Sequence, residues 1–146
     1  MNKIIFLDFD GVLNTESTVE RITVPPWSGI RGLDNEKVVL VSDLAIETGA
    51  DVVISSSWRY HFDMPDLKQL LVTRGWKANI IGMTPIKLSL DRQDEIAMWM
   101  ELNGKPDKFL VLDDLYTRYK DNQILTNDVE GFHAGLYERA LKILGD

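Results

Sequence analysis

Two acids separated by a single residue, Asp8 and Asp10, stand in the run KIIFLDFDGVLN over residues 3–14. Carboxylates held that close repel each other unless a cation or a proton lies between them. Gly11 follows at once and gives the backbone freedom to turn away above them. Asp8 itself ends the apolar run Ile4, Ile5, Phe6, Leu7, the pattern of a strand buried on both faces. The same event occurs twice more: Val52-Val53-Ile54 stops at Ser55 and Ser56, and Phe109 to Leu112 stops at Asp113 and Asp114. In a parallel sheet such strand ends share one edge, where open α/β sheets place their ligands, so these residues are expected to converge.

The elements that must position them alternate. Strands are expected over Ile4–Leu7, Asp51–Ser55, Ala78–Ile81, Lys108–Leu112 and Gln123–Leu125. Between them lie helical patterns. One starts at the cap Asp34, turns Val38, Val41, Leu44 and Ala45 inward and stops at Gly49. Another runs from Pro65 to Arg74; a third starts at the cap Asp91, turns Ile96, Trp99 and Leu102 inward and closes at Gly104. The last covers Ala134–Leu144, with Leu136, Ala140, Leu141 and Leu144 inward. This alternation predicts a three-layer, Rossmann-like α/β fold, with a central parallel sheet of about five strands and helices on both faces. Residues 15–33 lack a clean period and contain Pro25, Pro26, Gly29 and Gly32, so they read as a loop or short hairpin with a possible strand over 21–24. They would form a flap or small cap.

At 146 residues and 45% apolar composition the chain suits one domain, residues 1–146, with one sizeable core. A net charge of -7 argues against an extended phosphate-neutralising surface but leaves room for a local basic pocket. There are no cysteines, hence no disulfides or thiolate metal sites. His61 and His133 stand alone, without zinc-site spacing. Two acids interrupt the first ten residues and no apolar run reaches membrane-spanning length, so a cytoplasmic protein without a membrane partner is expected; its oligomeric state is open.

The residues DFDGVLN resemble the nucleophile motif, DxDG, of the haloacid dehalogenase (HAD)-like phosphohydrolases, and further motifs follow in order. VVISSSWR, residues 52–59, is similar to the second motif, whose Ser or Thr binds the substrate phosphate: Ser55 fits best and Ser56 next. Arg92, or Lys87 before it, matches the third-motif cation, with Arg92 favoured because a helix start would fix its position. FLVLDD, residues 109–114, matches the fourth motif. The runs SSSWR, DEIAMWM, FLVLDD and the ending ILTNDVEGFHAGLYERALKIL also resemble the small HAD branch associated with Swiss army knife RNA-repair proteins.

That resemblance implies a Mg²⁺-dependent phosphomonoester hydrolase. Asp8 would form an aspartyl-phosphate, Asp10 would serve as general acid and base, and Asp8, Asp10 (through its carbonyl), Asp113 and Asp114 would hold the metal. Gly11, Ser56, Trp58 and Arg59 are candidate substrate contacts beside Ser55, with Trp58 and Arg59 offering an aromatic face and a guanidinium to a base or second phosphate. Core packing for Trp58 and a surface ion pair for Arg59 are the structural alternatives. The substrate implied is a nucleotide or a nucleic-acid 3′-phosphate end. A general small-metabolite phosphatase and a degenerate module that binds a phospho-ligand or a protein are the competing readings.

Overall fold

The computed structural model describes residues 2–23 and 29–145. In chain order these form β1 (Lys3–Leu7), β2 (Arg21–Ile22), β3 (Ile30–Arg31), α1 (Asn35–Thr48), β4 (Asp51–Ile54), α2 (Met64–Val72), β5 (Ile80–Met83), α3 (Arg92–Asn103), β6 (Lys108–Asp113), β7 (Gln123–Leu125) and α4 (Ala134–Leu144). Five strands make a parallel sheet in the order β5-β4-β1-β6-β7, while β2 and β3 pair antiparallel as a separate hairpin. The expected α/β fold is therefore present, and the segment over 15–33 contains a hairpin. Val24 of the possible 21–24 strand, with Pro25 and Pro26, lies outside the described residues.

The side chains of each central strand divide by parity, as a strand's alternation requires. Ile5 and Leu7 of β1, Val52 and Ile54 of β4, and Leu110 and Leu112 of β6 join the larger core with residues of α1, α2 and α4. Ile4, Phe6, Val53, Phe109 and Val111 face the other way, onto Ile96 and Trp99 of α3. Right-handed crossovers explain the division: β1 to β4 to β5 steps in one direction with α1 and α2 on one face, and the return to β6 carries α3 over the other. The strand order thus reverses between β1 and β6. That is the switch point at which such sheets open a crevice at their carboxyl edge.

Three local expectations are corrected. Leu102 is 71% exposed, because α3 meets the sheet through a narrow stripe led by Ile96 and Trp99. The third main-sheet strand lies at Ile80–Met83 rather than 78–81 and takes in Gly82, with the Trp99 indole lying over it. Asp34 occupies the N-cap of α1 but makes no side-chain cap bond, its carboxylate accepting from the Thr18 hydroxyl at 3.0 Å.

Phe6 is the pivot of the smaller core, fully buried with its ring edge-on to Trp99 and Phe109 at 5.5 and 6.0 Å. Phe6→Ala is expected to cost about 3–5 kcal/mol in urea unfolding, whereas Phe6→Leu costs less because most of the volume is kept.

Candidate active site

At the carboxyl edge the sheet ladder continues one residue past the strands. The N–H of Thr84 donates to Ile54 O, Ser55 to Leu7 O, Asp8 to Leu112 O and Thr126 to Asp113 O, at 2.8–3.0 Å. These bonds fix a row, Thr84, Ser55, Asp8, Asp113, Thr126, with Asp8 and Asp113 side by side at the switch point. Carboxylate oxygens of Asp8, Asp113 and Asp114 all lie within 4.8 Å of one another. Ser55 Oγ, beside them in the row, is buried and has no hydrogen-bond partner among the described residues. Ser56 differs: its hydroxyl accepts from Trp58 N at 3.2 Å and caps the short 3-10 turn over Ser57–Tyr60.

One guanidinium enters this cluster. Arg92, the first residue of α3, donates to Asp113 Oδ2 at 2.5 Å and stands 3.5 Å from Asp8 Oδ2. Asp91 caps the helix by accepting from Asp94 N at 3.0 Å, which fixes where Arg92 begins. Backbone N–H groups hold the other oxygens: Phe9 donates to Asp8 Oδ1 at 2.8 Å and Leu115 to Asp113 Oδ1 at 2.9 Å. Burial, and then the charge of Asp113, push the Asp8 carboxyl well above its ordinary value, against the pull of Arg92. Burial likewise raises Asp113, with Arg92 opposing it. For Arg92 burial is outweighed by Asp113 and Asp8, so the guanidinium is held above its ordinary value. Three clustered acids with hard oxygen donors, two of them sharing the Arg92 guanidinium, fit a divalent metal ion.

Above the row, Gly11 takes φ +76°, and a Cβ there would lie 2.5 Å from Asp114 Oδ2. Glycine is therefore required for both the turn and the approach of that carboxylate. Asn14, completely buried, receives Gly11 N–H at 2.9 Å and donates to Asp10 Oδ1 and Gly32 O, both at 2.9 Å. It orients Asp10 and ties it to the chain leaving the β2–β3 hairpin. A cavity of about 630 Å³ opens here, lined by Asp10 and Asp114 together with Ile30, Arg31, Trp58, His61, Phe62 and Asp128. Arg31 donates to Asp128 through both terminal nitrogens, at 2.5 and 3.3 Å, closing one side.

Of the residues anticipated from sequence, Asp8, Arg92, Asp113 and Asp114 meet at one point, Ser55 stands beside Asp8 in the row of strand ends, and Asp10 and Gly11 follow in the turn. Lys87 is exposed in the loop before α3, while Arg92 holds the acids. The Asp10 carboxylate stands outside the three-acid cluster. Trp58 is only 5% exposed and packs edge-on to Phe9 at 5.3 Å, so it is a core residue with one margin on the cavity rather than an open stacking face. Arg59 is neither a substrate contact nor a surface ion pair: its side chain is 1% exposed and paired with Glu95 at 3.0 Å. Asn14, Arg31, Glu95, Thr126 and Asp128 were not anticipated. Thr126–Asp128 follows β7 just as Ser55 follows β4, and that repetition was available in the sequence.

The raised carboxyls give a pH dependence with a definite sign. Between the ordinary aspartate value of 3.8 and the raised native one, the folded protein binds more protons than the unfolded chain. Stability therefore falls as pH rises through that window. In EDTA, Tm is expected to be higher in mildly acidic than in neutral buffer, and Asp8→Asn should raise the neutral Tm and flatten the slope; thermal melts across pH check this.

Comparison with curated proteins and with solved structures gives no match. A protein-family model does match, over residues 4–135, from β1 through the strand-end acids into the start of α4. Its span takes in Asp8, Ser55, Arg92 and Asp113, and on that match the chain belongs to the family of HAD domains in Swiss Army Knife RNA repair proteins.

Proposed function

We infer that the protein hydrolyses phosphomonoesters with Asp8 as nucleophile. The observation that carries this reading is the setting of Asp8, a buried carboxylate between the unpartnered Ser55 hydroxyl and the Arg92–Asp113 ion pair. A carboxylate oxygen of Asp8 attacks phosphorus, the bond to the leaving oxygen breaks, and Asp10 gives that oxygen a proton. Water then attacks the aspartyl-phosphate and passes a proton to Asp10, and the bond between Asp8 and phosphorus breaks to release inorganic phosphate. Ser55 and Arg92 hold the phosphoryl oxygens, and Asn14 keeps Asp10 over the leaving group. Asp8, Asp113 and Asp114, with the Asp10 carbonyl, would hold Mg²⁺, which when bound offsets charge on the phosphoryl oxygens.

The substrate assigned here is a nucleotide or a nucleic-acid 3′-phosphate end. Support comes from the family's RNA-repair setting and from the cavity, whose apolar wall of Ile30, Phe62 and the margin of Trp58 faces the Arg31–Asp128 pair. A net charge of -7 favours contact with an end over an extended tract.

Asp8→Asn is expected to abolish hydrolysis of a chromogenic phosphomonoester while leaving the circular dichroism spectrum unchanged, and EDTA should silence the wild type until Mg²⁺ is restored. Full activity in that variant would remove Asp8 from its role. In a substrate screen, nucleotides and 3′-phosphorylated oligonucleotides should exceed sugar phosphates. Arg31→Gln should raise KM for the favoured substrates by roughly fivefold, equivalent to ~1 kcal/mol, and spare the chromogenic ester. A preference for sugar phosphates would instead indicate a metabolite phosphatase.

A further inference from the structure

Arg59 and Glu95 form an ion pair with side chains 1% and 4% exposed, next to the reacting groups but touching none of the three clustered acids. Burying two charges is costly unless their remaining hydrogen bonds are filled, and here they are. Arg59 Nε donates to Ser56 O at 2.7 Å, one terminal nitrogen donates to the carbonyl of Thr84 at 3.0 Å and also to its hydroxyl, and the other donates to both Glu95 oxygens at 3.0 and 3.1 Å. One guanidinium thus joins the loop after Ser55, the end of β5 and helix α3. Glu95 lies three residues after Arg92 on the same helix, and its Oε1 is 3.9 Å from Arg92 Nε.

Charge therefore alternates along a buried row: Arg59, Glu95, Arg92, then Asp113 with Asp8. We propose that Glu95, neutralised by Arg59, is the positioning residue that sets how far Arg92 reaches toward Asp8 and the substrate phosphate. With Arg59 in place, Glu95 holds the near end of the Arg92 guanidinium loosely, and its far nitrogen remains on Asp113 and Asp8. Without Arg59, Glu95 is a buried carboxylate whose other ion-pair partner among the described residues is Arg92. Arg92 is then drawn toward Glu95 and away from the acids. The role assigned to Arg92 rests on the phosphatase reading above; the geometry of the row does not.

This arrangement predicts a rescue that a merely structural ion pair would not give. Arg59→Met should lower kcat for a chromogenic phosphomonoester at least about tenfold, and adding Glu95→Gln should recover most of that loss, because the stray charge is gone. Affinity for inorganic phosphate, measured by calorimetry, should follow the same order. The Arg92 Nε–Hε signal in a ¹⁵N spectrum, assigned with Arg92→Lys, should shift in Arg59→Met and return in the double variant. If Arg59→Met does not fold, Arg59→Gln, equally neutral but still able to donate to the Ser56 and Thr84 carbonyls, makes the same comparison with and without Glu95→Gln. Losses that multiply in the double variant, or an Arg92 signal unmoved by loss of Arg59, would overturn the proposal. A wild-type protein without phosphatase activity would end the functional reading, and the Arg92 signal would still decide the row.

Discussion

Everything at the carboxyl edge follows from one constraint: three carboxylates are held together, and two of them, Asp8 and Asp113, are buried. Asp8 and Asp113 end neighbouring strands whose register runs from Lys3 opposite Lys108 to Leu7 opposite Leu112, so they cannot move apart without breaking the centre of the sheet. Repulsion that a surface loop would relieve by moving is retained by the fold. Protons, the Arg92 guanidinium and a metal ion are the three ways of relieving it. A phosphoryl group brought to the same place meets groups already arranged to balance charge, without reorganisation during the reaction.

The surroundings distribute that task over separate parts of the chain. Backbone N–H groups fix one oxygen of each strand-end acid, leaving the second oxygen to the cation. Asn14 holds Asp10 apart from the cluster, so two aspartates only two positions apart have different environments. That separation is what an acid–base group and a nucleophile need if one is to carry a proton while the other carries charge.

The architecture was legible in the sequence because it rests on local signals: short apolar runs, periodic helices, and polar residues where each strand stops. Asp8, Ser55 and Asp113 could be brought together from those signals alone, while Arg92 came from the resemblance to the third motif, with Lys87 as its alternative. The side-chain pairings could not be read this way. Arg59 and Glu95 lie 36 residues apart and Arg31 and Asp128 lie 97 apart, with no spacing rule to join them. Trp58 and Arg59 were read as candidate substrate contacts, with core packing and a surface ion pair as the alternatives, because they follow Ser55 in the run similar to the second motif. The 3-10 turn capped by Ser56 instead directs both into the interior. Leu102 fitted a helical stripe wider than the single helix-to-sheet contact uses.

The two faces of the sheet are unequally covered, and the smaller one is closed by α3 with Tyr119 packed against Phe109 beside it. This helix also carries Arg92 and Glu95. Sub-global opening of α3 would therefore dismantle the charged end of the site while the β1–β4–β6 centre and the larger core remained folded. Amide exchange along α3 would measure how readily the charged end of the site opens, and its loss on warming would precede the main unfolding transition by whatever free energy separates that opening from global collapse.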